Sequence, residues 1–286
     1  MENEPNSRVI INGDDFGMSP GVNQAIIKLH RQGRMNSTSI MTNMPWSEEA
    51  LHYAQSAATL QVGIHLNLST GEPILPPDRV PSLVTPEGEF HDMSAFLSRL
   101  LAGRIQRSEL ILELEAQFET FLDHSIQPVH IDSHMHFHAV PTLNEIVSEL
   151  ASRYGVGQVR NPNISAFIVP PPGRAGLVEH AIRKTGASVL NSTQTMMTRK
   201  GILLNGPSNR AENLIYLRWF LEQNGEEKQI FITGIDGLNE GTVEIIAHPS
   251  LTDEVLPTLS NYVQGRQEEL AFLESDTFYK LLVDIP

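Results

Sequence analysis

Short apolar runs alternate with amphipathic stretches along most of the chain. These periodicities predict strands over 8–12, 37–41, 62–68, 128–133 and 157–160, and helices over 20–31, 47–56, 93–101, 108–124 and 141–154. Beyond residue 160 they predict helices over 176–184, 209–223 and 264–274, and strands over 229–233 and 242–247. Strands that alternate with helices are typical of parallel sheets joined by right-handed crossovers, as in a barrel or a doubly wound sheet. We therefore predict an α/β fold whose active site lies at the carboxyl ends of the strands.

Composition and charge narrow the class of protein. The 286 residues include 20 Lys or Arg and 34 Asp or Glu, which gives a formal net charge of −14. That charge argues against nucleic-acid binding. The chain has no cysteine, which excludes disulfides, thiolate metal sites and a cysteine nucleophile. Any metal would therefore need His, Asp or Glu ligands.

The chain shows no targeting segment and no internal boundary. Its first residues, MENEPNSRVIIN, are acidic and polar, and they lack the basic and apolar regions of a secretory signal. No stretch approaches the roughly 18 apolar residues of a membrane span, so we expect a cytoplasmic protein that does not bind membranes. Without a repeat, a low-complexity tract or a long linker, one domain over residues 1–286 is predicted.

Two adjacent carboxylates follow the first predicted strand. Asp14 and Asp15 lie between Gly13 and Gly17 in the segment NGDDFG. Neighbouring strand residues point to opposite faces, so both carboxylates can reach one site only where the backbone turns, which glycines permit. An Asp pair at a strand end suits catalysis, although an Asx-type turn or a helix cap would use the same residues.

Single histidines accompany two other strands. His65 lies in the apolar run VGIHLNL, where a hydrogen-bonded core histidine is the alternative to a ligand. His248 ends the last predicted strand, in VEIIAHPS. Because active sites of parallel α/β folds lie at strand ends, polar residues at several such ends favour one shared site.

A cluster of histidines follows the strand at 128–133. Four of the 11 histidines fall in the segment VHIDSHMHFHAVP. His130, Asp132 and His134 would share one face of an extended segment, with Asp132 placed to accept a hydrogen bond from a ligand imidazole. His136 and His138 lie beyond the strand end, where ligation, proton transfer or substrate contact are all open. The alternative is a solvated His-rich loop.

One carboxylate and two imidazoles form a donor set for a divalent ion. We expect one such ion, Mg or Zn with Mn, Co or Fe as alternatives, held by Asp15, His65 and His134. Asp14 would act as the general base on the attacking water. His248 or His136 would return a proton.

Four motifs together resemble the YdjC-like carbohydrate deacetylase family, which includes chitooligosaccharide deacetylases. They are NGDDFGMSPGVNQAI, VGIHLNLSTGEP, HIDSHMHFHAVP and VEIIAHPS, in the family's order. The resemblance implies a distorted (β/α) barrel and metal-dependent removal of acetyl from N-acetylglucosamine units. The resemblance also implies that Asp15, His65 and His134 are metal ligands. It implies that Asp14 is the general base and that His248 lines the site. Family members often have His-His after the ligand, whereas here Met135 precedes His136.

Substrate and partners are predicted from the remaining residues near strand ends. Contacts with the sugar are expected from Phe16, Asp132, His138 and Arg160. The predicted partner is a small, soluble acetylated oligosaccharide such as chitobiose, and dimerisation is expected from the family. The alternatives are a metal-dependent hydrolase of another amide or a phosphoester, and a sugar-binding protein without catalysis.

Overall fold

Eight strands form one parallel sheet in the part of the chain that the structure describes. The structure is a computed structural model, and it describes residues 9–160, 208–211, 213–222 and 242–283. The strands are β1 (Val9–Phe16), β2 (Ser37–Ile40), β3 (Gln61–Leu66), β4 (Ile131–Ser133), β5 (Gln158–Val159), β6 (Ser208–Asn209), β7 (Asn213–Tyr216) and β8 (Val243–Ala247). Their order in the sheet is β6-β5-β4-β3-β2-β1-β8-β7, and every neighbouring pair is parallel.

The sheet curls so that its two edges approach each other. The edge strands β6 and β7 are consecutive in sequence, and β7 begins four residues after β6 ends. Four residues span at most about 14 Å, so the two edges are held close together. Arg210, between these strands, also reaches across the interior to Asn12 on β1 and Ser37 on β2. The predicted distorted (β/α) barrel with parallel strands is confirmed.

Helices connect the strands. They are α1 (Pro20–Arg31), α2 (Ser47–Ser56), α3 (Met93–Leu101), α4 (Arg107–Asp123), α5 (Pro141–Arg153), α6 (Leu217–Glu222), α7 (Leu256–Leu259), α8 (Gln264–Glu274) and α9 (Asp276–Val283). The side chain of Ser19 caps α1 by accepting from the Val22 N–H, and Asp92 caps α3 in the same way. The apolar faces of these helices pack on the barrel strands.

One predicted element is wrong, and others fall outside the described residues. The helix expected over 209–223 begins only at Leu217, because the apolar run at Asn213–Tyr216 pairs with β8 as a strand. Pairing with a buried neighbouring strand overrides the local helical pattern. The short helices α7 and α9 were not predicted. The helix predicted at 176–184 and the strand predicted at 229–233 lie outside the described residues.

A helix that could cross a membrane is absent from the described residues. The single domain and the cytoplasmic location stay predictions.

Candidate active site

The carboxyl end of β1 presents Asp14 and Asp15 on one side of the barrel. Asp15 adopts a left-handed backbone with φ of 66°, and the pairing of β1 with β2 shifts register between Gly13 and Phe16. This irregularity breaks the two-residue alternation of the strand, so that the two adjacent carboxylates face the same region. The turn therefore lies at Asp15 itself, and Gly17, also with positive φ, continues it.

Asp15, His65 and His134 converge as the sequence predicted. Oδ1 of Asp15 lies 3.2 Å from Nε2 of His65 and 2.9 Å from Nδ1 of His134. The three donor atoms all lie within 4.8 Å of one another. Asp15 and His65 are buried, whereas the side chain of His134 is 16% exposed, so the cluster opens towards solvent on one side.

The chemistry of this cluster fits a divalent cation. Nδ1 of His65 lies 2.7 Å from Oδ1 of Asp132, which accepts a hydrogen bond from it and leaves Nε2 to face Asp15. Burial acts to lower the pKa of His65, but Asp132 and Asp15 outweigh it and raise the pKa to about 10. One carboxylate oxygen and two ring nitrogens are suitable ligands for Zn or another divalent ion.

Arg266 of α8 fixes the other oxygen of the same carboxylate. Its Nη2 donates to Oδ2 of Asp15 at 2.6 Å, which leaves Oδ1 directed at the two imidazoles. Burial acts to raise the pKa of Asp15, but Arg266 and His134 outweigh it and hold the pKa well below its usual range. Asp15 is therefore ionised and is oriented to offer a single oxygen to a cation.

Asp14 has a separate set of partners. Nη1 and Nη2 of Arg160 donate to its two carboxylate oxygens at 2.7 and 2.8 Å, and Nδ2 of Asn12 donates to Oδ1 at 2.7 Å. Burial acts to raise the pKa of Asp14, but the Arg160 guanidinium outweighs it and holds the pKa well below its usual range. Asp14 is thus an ionised carboxylate held rigidly beside the cluster of Asp15, His65 and His134.

Buried charged residues also contact the guanidinium of Arg160. Oε1 of Glu244 accepts from Nε and Nη2 of Arg160 at 3.1 and 2.8 Å, and from Nη1 of Arg210 at 3.0 Å. Nη2 of Arg160 also lies 2.8 Å from Oδ2 of Asp132. The guanidinium of Arg160 therefore joins the carboxylate of Asp14 to the carboxylate that orients His65.

His248 is a further histidine near Asp14. Its Nε2 is 4.0 Å from Oδ2 of Asp14, and its side chain is 24% exposed. Its Nδ1 is 3.8 Å from Oε1 of Glu269, a fully buried residue of α8 that also accepts the backbone N–H of His248. His248 therefore has one ring nitrogen facing the site and the other facing a buried carboxylate.

The second predicted proton donor, His136, is held differently. Its Nε2 lies 2.6 Å from the hydroxyl of Tyr216 at the end of β7. Met135 and His136 both have left-handed backbones, with φ of 55° and 54°, so the extended segment ends at Ser133. The predicted extended face therefore ends before His134, which begins the turn that also carries His136.

Four residues that the sequence proposed as substrate contacts are buried: Phe16, Asp132, His138 and Arg160. Phe16 is in the core, with its ring edge-on to Tyr53 at 6.3 Å. His138 contacts the Ser133 hydroxyl, and its Nε2 is 2.9 Å from the backbone oxygen of Arg160. These placements favour packing and positioning roles over the substrate contacts predicted from sequence.

Sequence reasoning did not find Arg210, Glu244, Arg266 or Glu269 as site residues. Arg266 and Glu269 lie one turn apart on α8, within the segment Arg266–Leu270, and both are buried. Charged residues on an otherwise amphipathic helix are normally solvated, so nothing in the local pattern marks them. Glu244 offered a signal, because it is a single charge inside the apolar strand VEIIA.

Comparisons with known proteins find relatives over nearly the full length of the chain. The family model described as YdjC-like protein matches residues 8–284. A carbohydrate deacetylase of Halalkalibacterium halodurans is 31% identical over 97% of this chain and 98% of its own length. A carbohydrate deacetylase of Geobacillus stearothermophilus is 34% identical over 94% of this chain and 89% of its own length. A crystal structure from Enterococcus faecalis V583, provisionally named a cellobiose-phosphate cleavage protein, matches with a TM-score of 0.73 and 27% identity, over 96% of this chain and 94% of that one.

Proposed function

Because this chain belongs to the YdjC-like protein family, we propose that it is a metal-dependent carbohydrate deacetylase that hydrolyses the acetamide of N-acetylglucosamine units in short oligosaccharides. Relatives named carbohydrate deacetylase align over nearly its full length, which supports this enzyme class. Chitobiose is the substrate we propose, with a small soluble oligosaccharide as the general partner. A homodimer is proposed from the family alone.

The observation that carries the proposal is that two adjacent carboxylates, Asp14 and Asp15, have different partners. Asp15 directs one oxygen at His65 and His134, whereas Asp14 is held by Arg160 beside them. A hydrolase that uses a cation needs both a ligand and a separate proton acceptor within reach of the same water. The turn at Asp15 supplies both from consecutive residues.

The residues of the chain provide the proton transfers of amide hydrolysis. A divalent ion held by Asp15, His65 and His134 would supply Lewis acidity towards the acetamide carbonyl and the attacking water. Asp14 accepts a proton from that water, and its two hydrogen bonds with Arg160 keep it ionised and oriented. The water oxygen adds to the carbonyl carbon and the C–N bond then breaks. The products are acetate and the sugar amine.

The leaving nitrogen must be protonated, because an amide anion is a very poor leaving group. His248 is placed for this step, since its Nε2 faces Asp14 across 4.0 Å and the side chain remains partly exposed. His136 is the alternative donor, but its Nε2 is already engaged by the Tyr216 hydroxyl. We therefore assign proton donation to Nε2 of His248.

Acetate release from chitobiose tests the proposal directly. The purified protein is stripped of metal with a chelator and reconstituted with Mg, Zn, Mn or Co. Acetate release and the amount of bound metal are then both measured. We expect turnover with at least one of these ions. Asp14→Asn should keep the metal and lower kcat by about 10²- to 10⁴-fold, which is the range for general-base loss. No acetate with any ion, or full activity of Asp14→Asn, would contradict the proposal.

A further inference from the structure

We propose that Glu269 is the positioning residue that holds His248 as the proton donor, a role that rests on the proposed deacetylase function. Glu269 belongs to α8, whereas His248 follows β8, so the contact joins two separate elements. The catalytic assignments above leave this buried carboxylate without a function.

Two hydrogen bonds hold the Glu269 carboxylate, one from His248 and one from Tyr262. Oε2 accepts the backbone N–H of His248, and Oε1 accepts the hydroxyl of Tyr262 at 2.7 Å. Glu269 is 0% exposed. A buried carboxylate is expensive unless its partners compensate it, so this arrangement needs a reason beyond packing.

The geometry places the carboxylate behind the proton-donating ring. Oε1 of Glu269 lies 3.8 Å from Nδ1 of His248, at ion-pair distance, while Nε2 of the same ring faces Asp14. Nδ1 is buried and has no hydrogen-bond partner among the described residues. A carboxylate on the far side of an imidazole fixes the orientation of the ring. His248 is thereby held with Nε2 towards the leaving nitrogen.

Tyr262 completes the support. Its ring packs edge-on against His248 at 6.2 Å, and the guanidinium of Arg218 lies over it at 4.4 Å. Nε of Arg266 donates to the backbone oxygen of Tyr262 at 2.9 Å. The same helix therefore supports both halves of the site, with Arg266 on the metal ligand Asp15 and Glu269 on His248.

This division predicts different responses to the leaving group. Glu269 acts through proton donation, which an amine leaving group requires and which 4-nitrophenolate does not. Arg266 acts through Asp15, on which both reactions depend. Variants of the two residues should therefore separate on an amide and an activated ester, although both changes lie one turn apart in the same helix.

The test compares kcat of wild type and variants on chitobiose and on 4-nitrophenyl acetate, with bound metal and thermal midpoint measured for each protein. For Glu269→Gln we expect a loss of about 10²-fold on chitobiose, the lower end for acid catalysis, with the ester rate and KM changed by less than about threefold. Tyr262→Phe should shift the ratio of amide to ester rates the same way by a smaller factor. Arg266→Gln should lower both rates together.

Glu113→Gln is the matched control. Glu113 lies on α4, is also fully buried, and accepts the backbone N–H groups of Ile74 and Leu75. It should leave the ratio unchanged. An unchanged ratio in Glu269→Gln overturns the inference. If that variant does not fold, an unchanged ratio in Tyr262→Phe overturns it instead. A wild type that hydrolyses the ester but releases no acetate from chitobiose would contradict the proposed function itself.

Discussion

Among the described residues, two clusters of three side chains that could hold a metal ion lie side by side at the mouth of the barrel and share His65. One consists of Asp15, His65 and His134, and the other of Asp14, His65 and Asp132. Each brings its donor atoms within 4.8 Å. In the second cluster, the guanidinium of Arg160 contacts both carboxylates. In the first, Arg266 contacts Oδ2 of Asp15 and leaves Oδ1 to the imidazoles.

The difference shows that proximity of donors alone does not identify a metal site. The second cluster contains its own permanent cation, because an arginine side chain stays charged at any working pH. In the first cluster the arginine contacts only Oδ2 of Asp15, so that Oδ1 and the imidazoles of His65 and His134 remain for a metal ion. We therefore propose that the divalent ion binds to Asp15, His65 and His134, and that the second cluster has a positioning role.

The largest effect should come from the carboxylate of the first cluster. Asp15→Asn keeps a residue type that tolerates the left-handed backbone at this position but removes the charge. We expect loss of the bound ion and a fall in kcat of about 10³-fold or more, because Lewis-acid stabilisation is worth several kcal/mol. Elemental analysis and acetate release measure both. A variant that binds one ion with wild-type affinity would contradict the assignment.

The second largest effect is expected from replacing Arg160, the arginine that contacts the second cluster. It should mainly lower the free energy of unfolding. Arg160→Met leaves the buried carboxylates of Asp14, Asp132 and Glu244 without their shared partner, which should cost about 3–5 kcal/mol. A lower pH should reduce this loss of unfolding free energy, because protonation of the three carboxylates removes their unpaired charge. Urea unfolding at two pH values measures the change.

The control for this variant is Arg107→Met. Arg107 pairs with Glu149 at 3.3 Å on the surface, with both side chains nearly half exposed. Such pairs contribute at most about 1 kcal/mol. Equal losses in the two variants would show that the buried network has no special role.

Sequence patterns could predict the ligand cluster because each ligand lies in a short local motif. The apolar strand before Asp15, the single imidazole in VGIHLNL and the spacing that leads to His134 each mark the end of a parallel strand. The fold then brings such ends together. The comparisons confirm the family and the enzyme class, and the sheet confirms the barrel, whereas the metal ligands and the individual catalytic roles stay predictions.

The positioning network could not be predicted, because its contacts join residues far apart in sequence. Arg160 meets Asp14 across 146 positions, and Arg266 meets Asp15 across 251. No local periodicity reports such contacts. The burial of Phe16 and the end of the extended segment at Ser133 were missed for another reason, since left-handed residues at Asp15 and Met135 change the direction of the backbone locally.

A smaller effect is expected where the second cluster supports the first. Asp132→Asn keeps an acceptor for Nδ1 of His65 but removes the charge, so the metal should still bind. Loss of such an orienting carboxylate typically weakens metal affinity by about 10- to 100-fold. Titration with Zn measures the affinity, and the stoichiometry should stay at one ion. Loss of all binding would place Asp132 among the ligands.

The smallest effect on catalysis is expected from Phe16, which follows Asp15 at the end of β1 but is buried in the core. Because the backbone turns at Asp15, Phe16 points into the core beside Tyr53 and not towards the substrate. Phe16→Leu should cost about 1–2 kcal/mol of stability through incomplete repacking, with KM for chitobiose unchanged. Steady-state kinetics well below the unfolding midpoint measure KM without interference from unfolding. A KM raised tenfold in a stably folded variant would return Phe16 to the substrate site and would show that the turn at Asp15 does not divide the strand as argued.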